Sequence, residues 1–431
     1  MTSYAIAVRR RRPTATGPRV GLFGLLGAGN IGNDGSLEAV LAYLRAEYPD
    51  AVLGCLCSGP DQVTARYGVP ATPLHWYYSH QRLASGVPAI ALKAVGKGLD
   101  AIRTLRWVRR FDVVIVPGMG VLEATLPLRP WGFPYALFSL CVAGRLFGTK
   151  VALVSVGADV ISQPFTRWLV VRAARLAHYR SFRDAVSKDA MQEMGVDTTS
   201  DQVYPDLVFA LPAPPGVPGA TGAVGVGVMA YHGGNDDRRR ADEIHTSYVE
   251  AMKLFVRWLV DTDRRVRLFT GDLLDESVVK EILCDLRAHR PDLDPARVVA
   301  EPVCSLEDLM RQISSVDTVV ATRYHNVLCA LKLAKPTISI SYSAKSDGVM
   351  ASMGLNDFCQ SARAVDVERL IDQFRTLESR GEQLQHSMVE RNRANLRRLE
   401  HQYAALSASL FPVAEPITAA GAARARSRGV S

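Results

Sequence analysis

A chain of 431 residues is longer than one ordinary hydrophobic core supports, so two domains with a cleft between them are expected. Its composition, 48% hydrophobic and 22% charged with mean hydropathy near zero, is that of a globular protein, and no uninterrupted run reaches the ~18 apolar residues of a membrane span. The formal charge of +8 admits nucleic acid, an anionic membrane or small anions as partners. Aromatic residues are not interleaved with the basic ones, so no nucleic-acid partner is expected.

In chain order, "MTSYAIAVRRRRPTATGPR" has no apolar stretch after its arginines and reads as a flexible basic arm over 1–18 rather than a secretory signal. Seven cysteines without framework spacing fit a reducing cytoplasm. Cys55 and Cys57 lack a second pair, so no metal site is expected. "RVGLFGLLGAGNIGNDGSLEAVLAYLRAEYP" reads as a buried strand, a glycine-rich loop and a helix whose Leu37, Val40, Leu41 and Leu44 share one face. Further strands follow at "DAVLGCLC", "FDVVIVPGMG", "TKVALVSVGAD", "HYRSF" and "DQVYPDLVFAL". Residues 74–110 fit this alternation poorly: basic side chains accompany Trp76 and Trp107, and the segment reads either as a membrane-surface helix or as a solvated helix with a buried stripe.

"LPAPPGVPGATG" interrupts the pattern as a linker, and the alternation restarts from "AVGVGV" through "RRVRLF", "ARVVAEPV", "DTVVAT" and "TISIS". Apolar strands alternating with helices imply parallel sheets covered on both faces. The expected fold is therefore GT-B-like: two Rossmann-like doubly wound domains, 19–212 and 223–375, joined by a linker at 213–222. A closing helix over 376–411 and a flexible tail over 412–431 complete it. The site is expected in the cleft facing the strand C-termini.

The glycines of "GLLGAGNIGNDG", Gly27, Gly29 and Gly32, match a dinucleotide loop in spacing but lack the acidic residue that would end the second strand. What remains is a set of backbone N–H groups at a helix start, with Asn30 beside them, suited to an anion or a sugar. Gly118 and Gly120 in "VPGMG", and the end of "SVGAD", put small residues at two further strand ends. In "YRSFRDAVS" Arg183 has two readings, a fork for carboxylate or phosphate or a surface pair with Asp184, and Ser187 orders the turn. Asp206 in "YPDLVF" is a turn former or a site residue. The sharpest feature is "ATRYHN": Arg323 and His325 fall where a strand ends and a helix begins, a fixed cation beside a group that titrates near neutrality. "SYSAK" brings Tyr342 and Lys345 to the next strand end.

Taken in order, "GNIGNDG", "GMG", "SVGAD", "RDAVS", "DLVF", "RYH" and "YSAK" resemble the polysaccharide pyruvyl transferase family across roughly residues 19–360. The family usually has an unbroken glycine triplet where Met119 stands. The resemblance implies transfer of an enolpyruvyl unit from phosphoenolpyruvate to a sugar of a cell-surface glycan or lipid-linked precursor, giving a cyclic ketal. It implies His325 as general acid and Arg323 and Arg183 as anion-binding residues. The two acidic groups of such a donor also suit Lys345 as a second cation, and Tyr342, Asn30, Gly29, Gly32, Gly118, Gly120 and Asp206 are expected to line substrate. No cofactor is expected beyond phosphoenolpyruvate as donor substrate, and the expected location is cytoplasmic, with peripheral contact to the inner membrane face left open. Two rivals share the architecture: a glycosyltransferase using a nucleotide sugar, and an inert carbohydrate- or membrane-binding partner.

Overall fold

The computed structural model describes residues 17–76, 87–123, 130–214 and 222–411. The basic arm, most of the linker and the C-terminal tail lie outside the described residues. In the first domain β1 (Arg19–Gly24), α1 (Ile31–Glu47), β2 (Val52–Cys57), α2 (Pro60–Tyr67), β3 (Ala71–Pro73), α3 (Val87–Val108), β4 (Val113–Pro117), α4 (Phe133–Phe147), β5 (Lys150–Val156), α5 (Pro164–Leu176), β6 (Tyr179–Phe182), α6 (Ala185–Glu193) and β7 (Gln202–Val203) alternate. All seven strands pair in parallel, in the order β3-β2-β1-β4-β5-β6-β7.

The second domain repeats the scheme with β8 (Ala223–Gly227), α7 (Ala241–Asp261), β9 (Arg265–Phe269), α8 (Glu276–His289), β10 (Val298–Ala300), α9 (Leu306–Ser314), β11 (Thr318–Ala321), α10 (Tyr324–Lys332), β12 (Thr337–Ser341), α11 (Ala344–Ser352) and β13 (Cys359–Ser361). Its parallel order is β10-β9-β8-β11-β12-β13. Strands β4, β8, β11 and β12 are buried along their whole length, because helices cover both faces of each sheet. Leu37, Val40, Leu41 and Leu44 of α1 are buried on the first sheet.

Both sheets reverse strand order beside their first strand, between β1 and β4 and between β8 and β11. Such switch points open crevices at the carboxyl ends of strands. The loop after β1 leads into α1 and the loop after β11 leads into α10, so the two crevices face each other with Gly32 and His325 in contact range.

Two local expectations are corrected and two open readings are decided. "DQVYPDLVFAL" is a two-residue strand and then a 3₁₀ turn at Leu207–Ala210, because Pro205 interrupts the ladder and Asp206 caps the turn by accepting from Val208 N at 3.1 Å. The C-terminal helix is two helices, α12 (Val367–Ser379) and α13 (Gly381–Leu410), divided at Arg380. Of the two readings of residues 74–110, Trp107 fits the helix with a buried stripe: it is buried against Phe111 and Gly21. Of the two readings of Arg183, the surface pair with Asp184 is ruled out, since the Arg183 side chain is 7% exposed.

Helix α13 clips the domains together. Asn392 donates to the carbonyls of Leu331 and Lys332 at the end of α10, both at 2.9 Å, while ten residues on Gln402 lies between Ser155 and Ser181 of the first sheet. The Tyr403 ring stacks on Tyr43 of α1 at 4.4 Å. Lys332 adds a direct crossing, donating to the Phe209 carbonyl at 3.0 Å, and burial brings its amine down to about 8.

Candidate functional site

Short β11 delivers Arg323, Tyr324 and His325 to the cleft as the strand turns into α10, with Arg323 at the N-cap. The His325 imidazole crosses to the first domain and lies against the bare Cα of Gly32, so that a Cβ there would come within 2.0 Å of its ring atoms. Glycine at 32 is thus a packing requirement of the histidine, and Asn30 fixes the approach by capping α1: its Oδ1 accepts from the N–H groups of Gly32 and Asn33, both at 3.2 Å. Asp34 closes the loop from inside, accepting from Gly27 N at 2.7 Å. Gly29 (φ 89°) faces Leu273 across the cleft, where an added Cβ would come within 3.9 Å.

Beside the imidazole is a charge cluster drawn from both domains. Arg183 donates to Glu123 Oε1 at 3.0 Å, reaches Asp206 Oδ2 at 3.5 Å and lies 3.8 Å from Asp184 Oδ2. Its guanidinium also sits over the Tyr324 ring, 4.7 Å from the centroid. Lys345, at the start of α11, reaches the same Glu123 oxygen at 2.6 Å. Burial alone would neutralise these groups. The Glu123, Asp206 and Asp184 carboxylates outweigh it for Arg183, whose pKa is raised, and Arg183 with Lys345 outweighs it for Glu123, whose pKa is lowered.

The same burial acts on His325 with less compensation. Desolvation, against the pull of Asp206, holds the imidazole down at about 4, and Arg183 and Arg323 add to the depression. Without a ligand the ring is therefore neutral at pH 7.

Arg323 is placed differently from the expectation of a free anion clamp. Its Nε and Nη2 form a bidentate pair with fully buried Asp275, at 2.8 and 2.7 Å, which leaves the Nη1 edge without a partner among the described residues. Asp275 also accepts from Ala230 N at 2.9 Å and Gly271 N at 3.3 Å, so it anchors three segments at once.

The strand-end glycines have three separate reasons. Gly118 (φ 48°) abuts Ser36 of α1, Gly120 leaves room for the Glu123 carboxylate, and Gly157 makes space for both Glu123 and Arg183. Met119 between the first two has φ 59°, the left-handed region that favours glycine. Its side chain fills the space over Gly24.

Of the remaining candidates, Tyr342 lies next to Arg323 and the Tyr324 backbone at the edge of the cluster. It lines an open cleft of about 450 Å³ in the second domain together with Tyr231, Ser341, Ser343, Arg363 and Arg369. His325 is not among the residues that line it. Among the described residues no group of three or more His, Cys, Asp or Glu side chains is placed to hold a metal ion.

The sequence profile of polysaccharide pyruvyl transferases matches residues 30–344. The chain belongs to that family. The matched span opens on Asn30 and ends one residue short of Lys345, so it takes in both faces of the cleft.

Solved structures show the same fold at low identity. A putative UDP-N-acetylglucosamine 2-epimerase from Listeria monocytogenes superposes with a TM-score of 0.59 at 13% identity, covering 92% of this chain and 98% of its own. Anabaena HepE, in complex with UDP-glucose, gives 0.57 at 12% identity over 91% and 100%. The UDP-GlcNAc 2-epimerase of Methanocaldococcus jannaschii gives 0.54 at 10% identity over 83% and 92%. The family member thus has a GT-B-like architecture.

Sequence reasoning missed Glu123 and Asp275. Glu123 left a faint signal, a carboxylate just past the "PGMG" strand end. Asp275 left none, because its partner lies 48 residues further along the chain.

Proposed function

We propose that this family member transfers the enolpyruvyl group of phosphoenolpyruvate to two hydroxyls of a glycan or glycolipid precursor, closing a pyruvate ketal and releasing phosphate. The observation that carries the reading is the His325 ring seated on Gly32 at the domain boundary, with the Arg183–Lys345–Glu123 cluster beside it.

Protonation of the donor's methylene makes the adjacent carbon electrophilic. One sugar hydroxyl adds to it, phosphate departs with its bonding electron pair, and the second hydroxyl adds at the same carbon. The methyl proton comes from His325, and the two hydroxyl protons leave to the histidine and to phosphate. The low imidazole pKa fits an acid armed by its substrate. One negative charge ~5 Å away at an effective dielectric of ~20 is worth roughly 3 kcal/mol, or about 2.4 pKa units. A bound anion therefore raises the imidazole from about 4 toward neutrality. Lys345 and the open edge of Arg323 are the cations best placed to meet the incoming carboxylate and phosphate, and Arg183, enclosed by carboxylates, positions Glu123 and Tyr324.

A second reading, a glycosyltransferase using a nucleotide sugar, is favoured by the cleft beside Tyr342 with Arg363 and Arg369 on its wall. One experiment separates the two. The protein is incubated with phosphoenolpyruvate and candidate glycosides while phosphate and ketal are followed, with a nucleotide-sugar arm in parallel. Phosphate and ketal formation that collapses in His325→Ala is the expected result. Turnover of the nucleotide sugar alone refutes the proposal.

A further inference from the structure

Helices α3, α4 and α5 all cross the first sheet toward its β7 edge, so they lie side by side on one face of it. At the start of α4 and α5 that face is covered by aromatic side chains which the core does not use. Trp131 is 54% exposed, Trp168 46% and Phe165 37%. They form one cluster, with Trp131 5.2 Å from Phe165 and Phe165 stacked on Trp168 at 6.2 Å. The apolar surface continues onto α3, where Val95, Leu99 and Ile102 recur at helical spacing on the solvent side. Tyr135 of α4 ties the two parts by donating to the Lys97 carbonyl at 3.3 Å.

On these three helices the exposed charge has one sign. Lysines or arginines occur on each of the three helices, and their single carboxylate is Asp100, buried and paired with Lys97 and His75. Arg172 extends over the Trp168 ring at 5.9 Å. Half-exposed indoles flanked by cations match the chemistry of an anionic bilayer interface, which takes up the rings at headgroup depth and attracts the charges. A basic protein partner would be repelled, and a second copy would set like charges against each other.

Position adds a reason. In a parallel sheet each following helix begins at the carboxyl end of its strand, the end that carries Gly118, Glu123 and Gly157. The aromatic cluster therefore lies at the same end of the sheet as the candidate site.

We propose that the α3–α4–α5 face docks on an anionic lipid surface, with the Trp131–Phe165–Trp168 cluster in the interface and the cleft mouth at headgroup height. Resting on the transferase reading above, this makes a lipid-linked glycan the acceptor class.

The test is flotation of the full chain with vesicles of phosphatidylcholine alone and with about 30 mol% phosphatidylglycerol. Expected is flotation with the anionic vesicles only, weakened as salt rises from about 0.1 to 0.5 M. W131E/W168E should stay unbound while keeping the parent's melting temperature, and R172A should partition about fivefold more weakly. Three results overturn the proposal: no flotation with anionic vesicles, flotation of W131E/W168E equal to the parent's, or a lipid-free dimer that this double variant dissociates. Flotation is read without turnover, so a failed transferase reading would show separately, as absence of phosphate release from phosphoenolpyruvate with any glycoside.

Discussion

Replacing Gly32 with alanine isolates the contact on which the candidate site depends. At an ordinary helix position this change is favourable by up to ~1 kcal/mol, because alanine restricts the unfolded chain and suits the helix. Here the new methyl comes within 2.0 Å of the His325 ring atoms. Carbon atoms need ~3.5 Å of separation, so the ring must move by more than ~1 Å or the domains must part. A displacement of ~1 Å in a reacting group costs about 100-fold in turnover. Overpacking of this kind costs ~1–3 kcal/mol in stability, which reverses the sign of the helix effect. In a His325→Ala background the clash disappears, so the same Gly32→Ala change should there be neutral or stabilising. The coupling between the two sites, read by urea denaturation of the four proteins, is expected to reach ~2 kcal/mol. Turnover of phosphoenolpyruvate gives the second readout. Additive stability effects, or a Gly32→Ala enzyme within twofold of the parent kcat, would refute the reasoning.

Three further outcomes are expected. His325 titrates near 6.5 when unfolded and at about 4 when folded, so below pH 6.5 the unfolded chain takes up a proton that the folded one refuses. Stability is therefore lost as pH falls from 6.5 toward 4, and between pH 7.5 and 5 the parent should lose ~2 kcal/mol more than His325→Gln in urea melts. Asp275→Asn leaves Arg323 unpaired against a buried site and should cost ~3–5 kcal/mol in denaturant unfolding, far more than an exposed carboxylate would. Met119→Gly relieves a left-handed backbone worth ~1–2 kcal/mol. It also empties the space over Gly24 at a cost of ~2–5 kcal/mol, so a net drop in Tm is expected.

Much of the molecule was legible one segment at a time. The apolar strands, the glycines at their ends and the helix stripe of Leu37, Val40, Leu41 and Leu44 report burial and turn geometry within a few residues, and sequence periodicity records such local demands directly. "RYH" could be placed at a strand end for the same reason, and its membership of a recurrent motif order gave the family. The charge partners were not legible. Arg183 meets Glu123 from 60 residues away and Arg323 meets Asp275 from 48, and which carboxylate faces which guanidinium follows from strand order, not from spacing.

By itself, the sequence determined the alternation of strands and helices, the strand ends where polar groups collect, and the family. Only the tertiary structure decided that Gly32 of one domain is the seat of His325 from the other, that Arg323 is held by Asp275, and that Trp107 is core while Trp131 and Trp168 are surface. The reason is physical. Burial periodicity and turn chemistry act over a few residues, whereas desolvation, ion pairing and interdomain packing act between groups that only the finished fold brings together.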